Sequence, residues 1–242
     1  FSGGGYIQQI VSSEVSEFLQ RYRASTDLPV DLSLRARFNP ELDRGWMMAI
    51  TGIINNIAML SIVLAGAALI REREHGTIEH LLVMPVTPLE IMLSKVLSMS
   101  LVILVAAAFS LIFVVQHLLE VPIHGSLPLF FCAVVLQLFA STSLGIFLAT
   151  IAGTMPQFGL LLMLVLLPIQ VLSGAMTPRE SMPEIVQNIM LAVPDTHFVI
   201  LSQAVLFRGA SLDMVWPQLA MLALIGSALF AFSLQRFRAF LK

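Results

Sequence analysis

His75 and His80 flank Glu79, and those residue types can build a hydrolytic metal centre. Their spacing is not the H-E-x-x-H that sets two imidazoles on one helical face, so they read as a solvated helix face. His117, His124 and His197 stand apart from one another and read as interfacial or packed histidines, with a proton or substrate contact as the rarer role. A protease needs a nucleophile held by a base, and Ser173-Gly174 with His197 is the only pairing that can be constructed. Lysine occurs only as Lys95 and Lys242, and neither sits in G-x-x-x-x-G-K-[ST], the loop that cradles nucleotide phosphates. The reading is therefore no catalytic residue, no metal and no cofactor in this chain. Any ATP-driven step would use an ATPase outside it.

The chemistry that remains is mechanical, and it centres on residues 71–95, REREHGTIEHLLVMPVTPLEIMLSK. On one side of this dense run of charge lie 26 residues (45–70) without Asp, Glu, Lys or Arg; on the other lie 24 (96–119). A charged, helix-prone segment between two such runs is a loop on the water side of a membrane. Composition agrees: 57% of the 242 residues are hydrophobic and 12% charged, against about 25% charged in soluble domains. Mean hydropathy is +0.90. A net charge of −2 supplies no basic field for nucleic acid. The single cysteine, Cys132, permits no internal disulfide and is expected to be a small buried hydrophobe.

About 20 apolar residues cross a bilayer core of roughly 30 Å as a helix. That length predicts spans over 46–70, 88–117, 128–152, 158–172 and 214–235. Thr87-Pro88-Leu89-Glu90 is a capping box with Pro at the first helical position, and Lys95 is expected to snorkel toward headgroups. Residues 121–178 form 58 positions without Asp, Glu, Lys or Arg, too many for one crossing. Gly153-Thr-Met-Pro-Gln157 divides them, and Pro168 is expected to kink the fourth span near its end. Asn55 and Asn56 fall inside the first span, where polar side chains are costly unless a partner helix or a wet cavity receives them. They read as interhelical glue or as part of a translocation path.

Residues 174–207 differ. Ser173-Gly174 stops a helix; Thr177–Glu180 and Ser181–Glu184 both have the capping-box pattern, and Pro194-Asp195-Thr196 closes one short helix and caps the next. Each would be near 12 residues, too short to span. A pair of re-entrant or interfacial helices is favoured over a loop above the membrane, because irregular backbone at membrane depth has to be buried in protein or face water.

Residues 1–44 are the water-soluble part. Ile7, Val11, Val15, Phe18 and Tyr22 recur at helical spacing, and Leu32, Leu34, Ala36 and Phe38 alternate with polar neighbours as in a half-buried strand. One helix and one strand cannot close a core, so this is expected to be the tail of a larger α/β domain. Basic residues set the orientation. Arg71, Arg73, Lys95, Arg236, Arg238 and Lys242 fall on one side, Arg44, Arg179 and Arg208 on the other. The first group is expected in the cytoplasm, which leaves 1–44 outside and calls for one further span upstream, six in all.

Within the charged loop, Ile78, Leu81 and Leu82 share a face at helical spacing, and Arg71 and Glu74 are close enough to pair. A short rod with apolar and charged edges suits a groove on a soluble partner, or else rests on headgroups. Here the chain resembles the type-2 (ABC-2) permeases of ATP-binding-cassette transporters. Their cytoplasmic loop reads roughly R-E-x-x-x-G-T-[IL]-E-x-L-L-x-x-P-[VI]-x-P, matched by Arg71-Glu-Arg-Glu-His-Gly-Thr-Ile-Glu-His-Leu-Leu-Val-Met-Pro-Val-Thr-Pro. Leu167-Pro-Ile-Gln-Val-Leu-Ser-Gly-Ala-Met-Thr-Pro, Met182-Pro183 and Val193-Pro194 are similar to that family's extracytoplasmic re-entrant region. The outside domain resembles the bacterial drug-efflux branch, and the likeness covers essentially the whole chain except an absent first helix and domain front.

The resemblance implies an all-α polytopic membrane protein of the bacterial inner membrane, two copies or relatives of which pair with two cytoplasmic ATP-binding subunits carrying ATP and Mg. It makes residues 72–82 the coupling helix, with Glu72, Ile78, Glu79, Leu81 and Leu82 as the coupling residues. Ser173, Gly174, Pro178, Pro183 and Pro194 would form the outer gate, and Asn55 and Asn56 would line the path. Membrane lipid is the surrounding partner. The expected activity is export of a drug-like or amphiphilic substrate. Export of an envelope lipid or polysaccharide is the alternative, and a membrane enzyme or scaffold without an ATPase the remote one, since ionisable residues do not converge inside the spans.

Overall fold

The computed structural model describes residues 44–76, 86–121, 123, 125–175, 177 and 179–240. The chain divides into compact units Phe1–Arg44 and Gly45–Lys242, and apart from Arg44 the described residues all belong to the second. The helix and strand expected within 1–44 lie outside the described residues.

Apolar length dictates the architecture. Helices α1 (Arg44–Glu74), α2 (Pro88–Phe109), α3 (Leu127–Ile151), α4 (Met155–Leu172) and α7 (Leu212–Phe240) carry the five segments long and apolar enough to cross a membrane. They fall in the expected order, and no strand occurs among the described residues. Two helices come between α4 and α7: α5 (Glu184–Met190) and α6 (Pro194–Arg208), bent 92° from one another. The helices outrun the apolar runs at several ends. α1 continues through Arg71–Glu74 and α7 through Arg238, because Arg and Glu are good helix formers and hydropathy marks only the part in hydrocarbon.

The start of α2 follows the capping box. Thr87 is the N-cap, its hydroxyl accepts from the Glu90 N–H at 3.3 Å, and the Thr87 N–H donates to Glu90 Oε2 at 2.7 Å. After Phe109 the helix widens into a nine-residue π-helix, Ser110–Leu118, a rare conformation that hydropathy does not reveal.

α3 is the central post. It is apolar all round, as a helix enclosed by others should be, and thirteen of its residues are buried. α2, α6 and α7 pack against it. The core falls into two halves. Toward one end, Ile54 of α1, Phe130 and Leu138 of α3, Phe198 of α6 and Leu222 of α7 belong to one cluster. Toward the other, Leu69 of α1, Met92 of α2, Ile146 of α3, Phe158 of α4 and Phe237 of α7 belong to a second. Small residues let backbones meet in the absence of a hydrophobic drive between helices. At Gly145 a Cβ would lie 2.3 Å from the Ile62 carbonyl oxygen, so α1 and α3 touch backbone to backbone.

The outer faces of α2 and α4 stay apolar and uncovered: Leu97, Leu101 and Val105 on the first, Leu160, Leu164 and Leu167 on the second. In water such patches would be a liability; against lipid they are ordinary. Cys132 lies on an uncovered side of α3 with Val135, so the expectation that it is buried is corrected: the neighbours cover the opposite face.

Three local expectations are also corrected. Ser181 does not cap a helix at Glu184; the N-cap of α5 is Pro183, with no side-chain cap bond. A helix capped by Ser181 would need Met182 in the α region directly before a proline, which is disfavoured. The same proline limits the Thr177–Glu180 box to a 3-10 turn at Arg179–Ser181. The N-cap of α6 is Val193 with Pro194 at the first helical position, so Asp195 and Thr196 lie inside the helix instead of capping it. The pair is consequently 7 and 15 residues long, not 12 and 12.

Because only backbone faces Gly145, Gly145→Ala is expected to destabilise the bundle by about 1–3 kcal/mol. Gly52→Ala on α1, where a Cβ would meet nothing within 4 Å, is expected to be neutral or to stabilise by up to about 1 kcal/mol. Thermal unfolding in detergent checks both.

Candidate functional site

The end of the bundle that carries Arg71–Glu74 is tied by charge and backbone. Glu72, in the last turn of α1, pairs with Lys95, in the second turn of α2. Glu74 Oε1 accepts from the Met155 N–H at 2.9 Å, at the start of α4. Arg73 Nη1 donates to the Ala152 carbonyl, just past α3, at 3.4 Å. One helical turn thus holds the near ends of α2, α3 and α4. The chain then turns at His75-Gly76, where Gly76 has φ +70 and His75 Nδ1 donates to the Arg71 carbonyl at 2.8 Å.

Glu72 lies in the last turn of α1, which runs to Glu74, and Lys95 reaches a carboxylate instead of headgroups. Glu74 bonds to Met155, a partner invisible to i,i+3 spacing. Ile78, Glu79, Leu81 and Leu82 lie outside the described residues.

At the opposite end, α6 enters the bundle. Its residues Pro194–Val199 are all buried, and it packs on α3 and α7. Ser173, at the C-cap of α4, is buried, and Gly174 follows at φ +97, a left-handed turn that a side chain would strain. Pro183 stands at the start of α5 and Pro194 at the buried start of α6; Pro178 lies outside the described residues. The Ser173–His197 pairing is not formed. Ser173 Oγ donates to the Gln170 carbonyl at 3.4 Å, and His197 Nε2 donates to the Leu191 carbonyl at 2.9 Å.

Asn55 and Asn56 do not share a cavity. Asn56 is exposed and lines a cleft of about 200 Å³ between α1 and α2, with Ile103 and Ser110 opposite. Asn55 lines a much smaller cavity closed by Gln170 and Ser173 of α4 and by Asp195 and Phe198 of α6.

That small cavity holds the feature that residue patterns miss. Asp195 is 6% exposed, and Gln137 of α3 donates its amide to the carboxylate. Gln137 Nε2 also donates to Ser141 Oγ, one turn along α3, at 2.7 Å. Gln137 Oε1 has no partner among the described residues. A buried acid, an amide and a hydroxyl inside a membrane bundle are expensive. The one sequence signal is Asp195 directly after a helix-starting proline, which reads as a cap.

The fold is that of a polytopic α-helical membrane protein with a buried polar centre. Residues 11–207 match the family described as ABC-2 type transporter, and the chain belongs to that family. It is 59% identical over 238 residues to the Inner membrane transport permease YhhJ of Escherichia coli K12, covering 98% of this chain and 64% of that protein. The Shigella flexneri protein of the same name matches equally. The Probable multidrug ABC transporter permease YbhR of Escherichia coli K12 is 29% identical over 232 residues, 93% of this chain and 62% of that one. The chain thus spans a little under two thirds of the length of these relatives. No solved structure matches it.

The Glu72–Lys95 pair is part-buried, with side chains 33% and 13% exposed, so its worth is discounted for screening. A double-mutant cycle with Glu72→Gln and Lys95→Gln is expected to give a coupling of about 0.5–1 kcal/mol in thermal unfolding, lost at high salt.

Proposed function

We propose that this chain is the membrane-spanning part of an ATP-driven exporter of the bacterial inner membrane, moving a drug-like or amphiphilic substrate out of the cytoplasm. The work comes from a separate ATP-binding subunit. A second permease, identical or related, completes the path. The observation that carries this reading is the terminal turn of α1. It ties to Lys95, to the Ala152 carbonyl and to the Met155 amide, so a push on the segment that follows it reaches four helices together.

That segment, residues 77–85, is short and holds Ile78, Glu79, Leu81 and Leu82, an apolar set with one acid. Such a set suits a groove on a soluble partner. The excess of basic residues around 71–95 and in 236–242 supports a cytoplasmic location for it and for the C-terminus, with residues 1–44 periplasmic. Ser173, Gly174, Pro178, Pro183 and Pro194 form the outer gate: the inserted α6 closes that end. A drug-like substrate is supported by the likeness to a relative named as a probable multidrug permease.

Replacing Leu81 and Leu82 with Asp tests the coupling role. The double variant is expected to insert normally, to lose co-purification of the ATP-binding subunit, and to lose at least about 90% of ATP-dependent export, since two charged groups in an apolar groove lose binding by several kcal/mol. Retention of both association and export would refute the assignment.

A further inference from the structure

Among the described residues Asp195 is the one buried acid, and its surroundings define what it could hold. None of the side chains lining its cavity is basic; the polar ones are Asn55, Gln170, Ser173 and Asp195. The Ser173 hydroxyl proton is already spent on the Gln170 carbonyl. Behind the carboxylate, Gln137 is fixed in orientation. A carboxylate only accepts, so the amide must present Nε2 to it. That leaves Gln137 Oε1, 0% exposed on its residue, as an acceptor without a donor. Among the described residues lining the cavity no cation faces the Asp195 carboxylate, and Gln137 Oε1 behind it is an acceptor left open.

The cavity is about 10 Å³, room for roughly one water or for an ammonium group of similar size. Ile54 and Leu166 make the rest of its wall apolar. A low-dielectric site makes an unpaired carboxylate costly and a paired one strong. A primary ammonium would supply positive charge and three N–H donors, and its head group alone matches the space beside the carboxylate.

We propose that Asp195, held by Gln137 and Ser141, is the site that recognises the protonated primary amine of a transported amphiphile, with Asn55 and Gln170 as its polar neighbours. The proposal rests on the exporter reading and assigns the substrate class for it. Asp195 is thereby a specificity-determining residue on the face where α1, α3, α4 and α6 meet.

The experiment uses inverted membrane vesicles holding the full-length permease and its ATP-binding subunit. Two fluorescent acyl probes are compared: a primary amine and its N-acetylated, uncharged amide. The expected result is ATP-dependent uptake of both by the native protein, and a roughly tenfold or larger fall in the amine-to-amide ratio for Asp195→Asn, which keeps a hydrogen bond from Gln137 but no charge. Asp195→Glu is expected to recover part of the ratio. A ratio unchanged in Asp195→Asn overturns the proposal, whether both rates persist or both fall, because the carboxylate is then protonated or merely structural. Native protein that moves neither probe overturns the exporter reading itself.

A second measurement does not depend on the variant folding. Thermal unfolding of the native full-length protein in lipid nanodiscs is expected to shift upward with the amine and not with the amide. Equal shifts, or none with the amine, overturn the proposal.

Discussion

The contact between the backbones of α1 and α3 at Gly145 is what the rest of the bundle is arranged around. In hydrocarbon, helices gain nothing from burying one another's apolar surface, since lipid is as apolar as leucine; they gain from close fit and from hydrogen bonds. Gly145 lets the Ile62 carbonyl within a distance no Cβ would allow. That approach brings Leu69 and Ile70 of α1 into one cluster with Ile146, Ala149 and Phe158, and it delivers the charged end of α1 to the turn between α3 and α4. Further back along α3, the same post carries Ser141 and Gln137 to Asp195. One close approach therefore supports a charged anchor at one end and a polar centre toward the other.

The two polar features differ in kind. At the α1 terminus, Glu72, Arg73 and Glu74 each meet a different neighbouring element, partly exposed and screened. Such bonds contribute little individually, and their value lies in direction: they make one helical turn the common fastening of α2, α3 and α4. Asp195 sits where screening is weak and an uncompensated charge is costly. In the proposed exporter the first feature receives force and the second receives substrate. α3 connects them mechanically, since its far end meets Arg73 and its middle carries Gln137.

Much of this is legible in the residues. Five apolar runs correspond to five crossing helices in the same order, because a bilayer demands length and hydropathy and little else. Thr87 and Glu90 announce a cap because a capping box is local. Ser181 and Glu184 have the same capping pattern and form no box, because Pro183 dictates the conformation of the residue before it. Cys132 is exposed against expectation, since a helix that is apolar all round does not announce which side its neighbours will take. Asp195 with Gln137, 58 positions apart, and Glu74 with Met155, 81 apart, are pairings that no spacing rule contains. The π-helix at Ser110–Leu118 leaves no periodic signature either. The α/β reading of residues 1–44 and the coupling face at Ile78–Leu82 rest on sequence pattern, outside the described residues.

The side of the membrane at which work enters decides whether this chain can be driven by a cytoplasmic ATPase at all. A single cysteine introduced as Glu79→Cys, in a background where Cys132 is replaced by Ala, reports that side through a thiol reagent that cannot cross a bilayer. A cytoplasmic coupling segment predicts labelling in inverted vesicles and none in intact spheroplasts. Labelling of that cysteine from outside intact spheroplasts would place the segment beyond reach of any cytoplasmic ATPase and would contradict the proposed coupling.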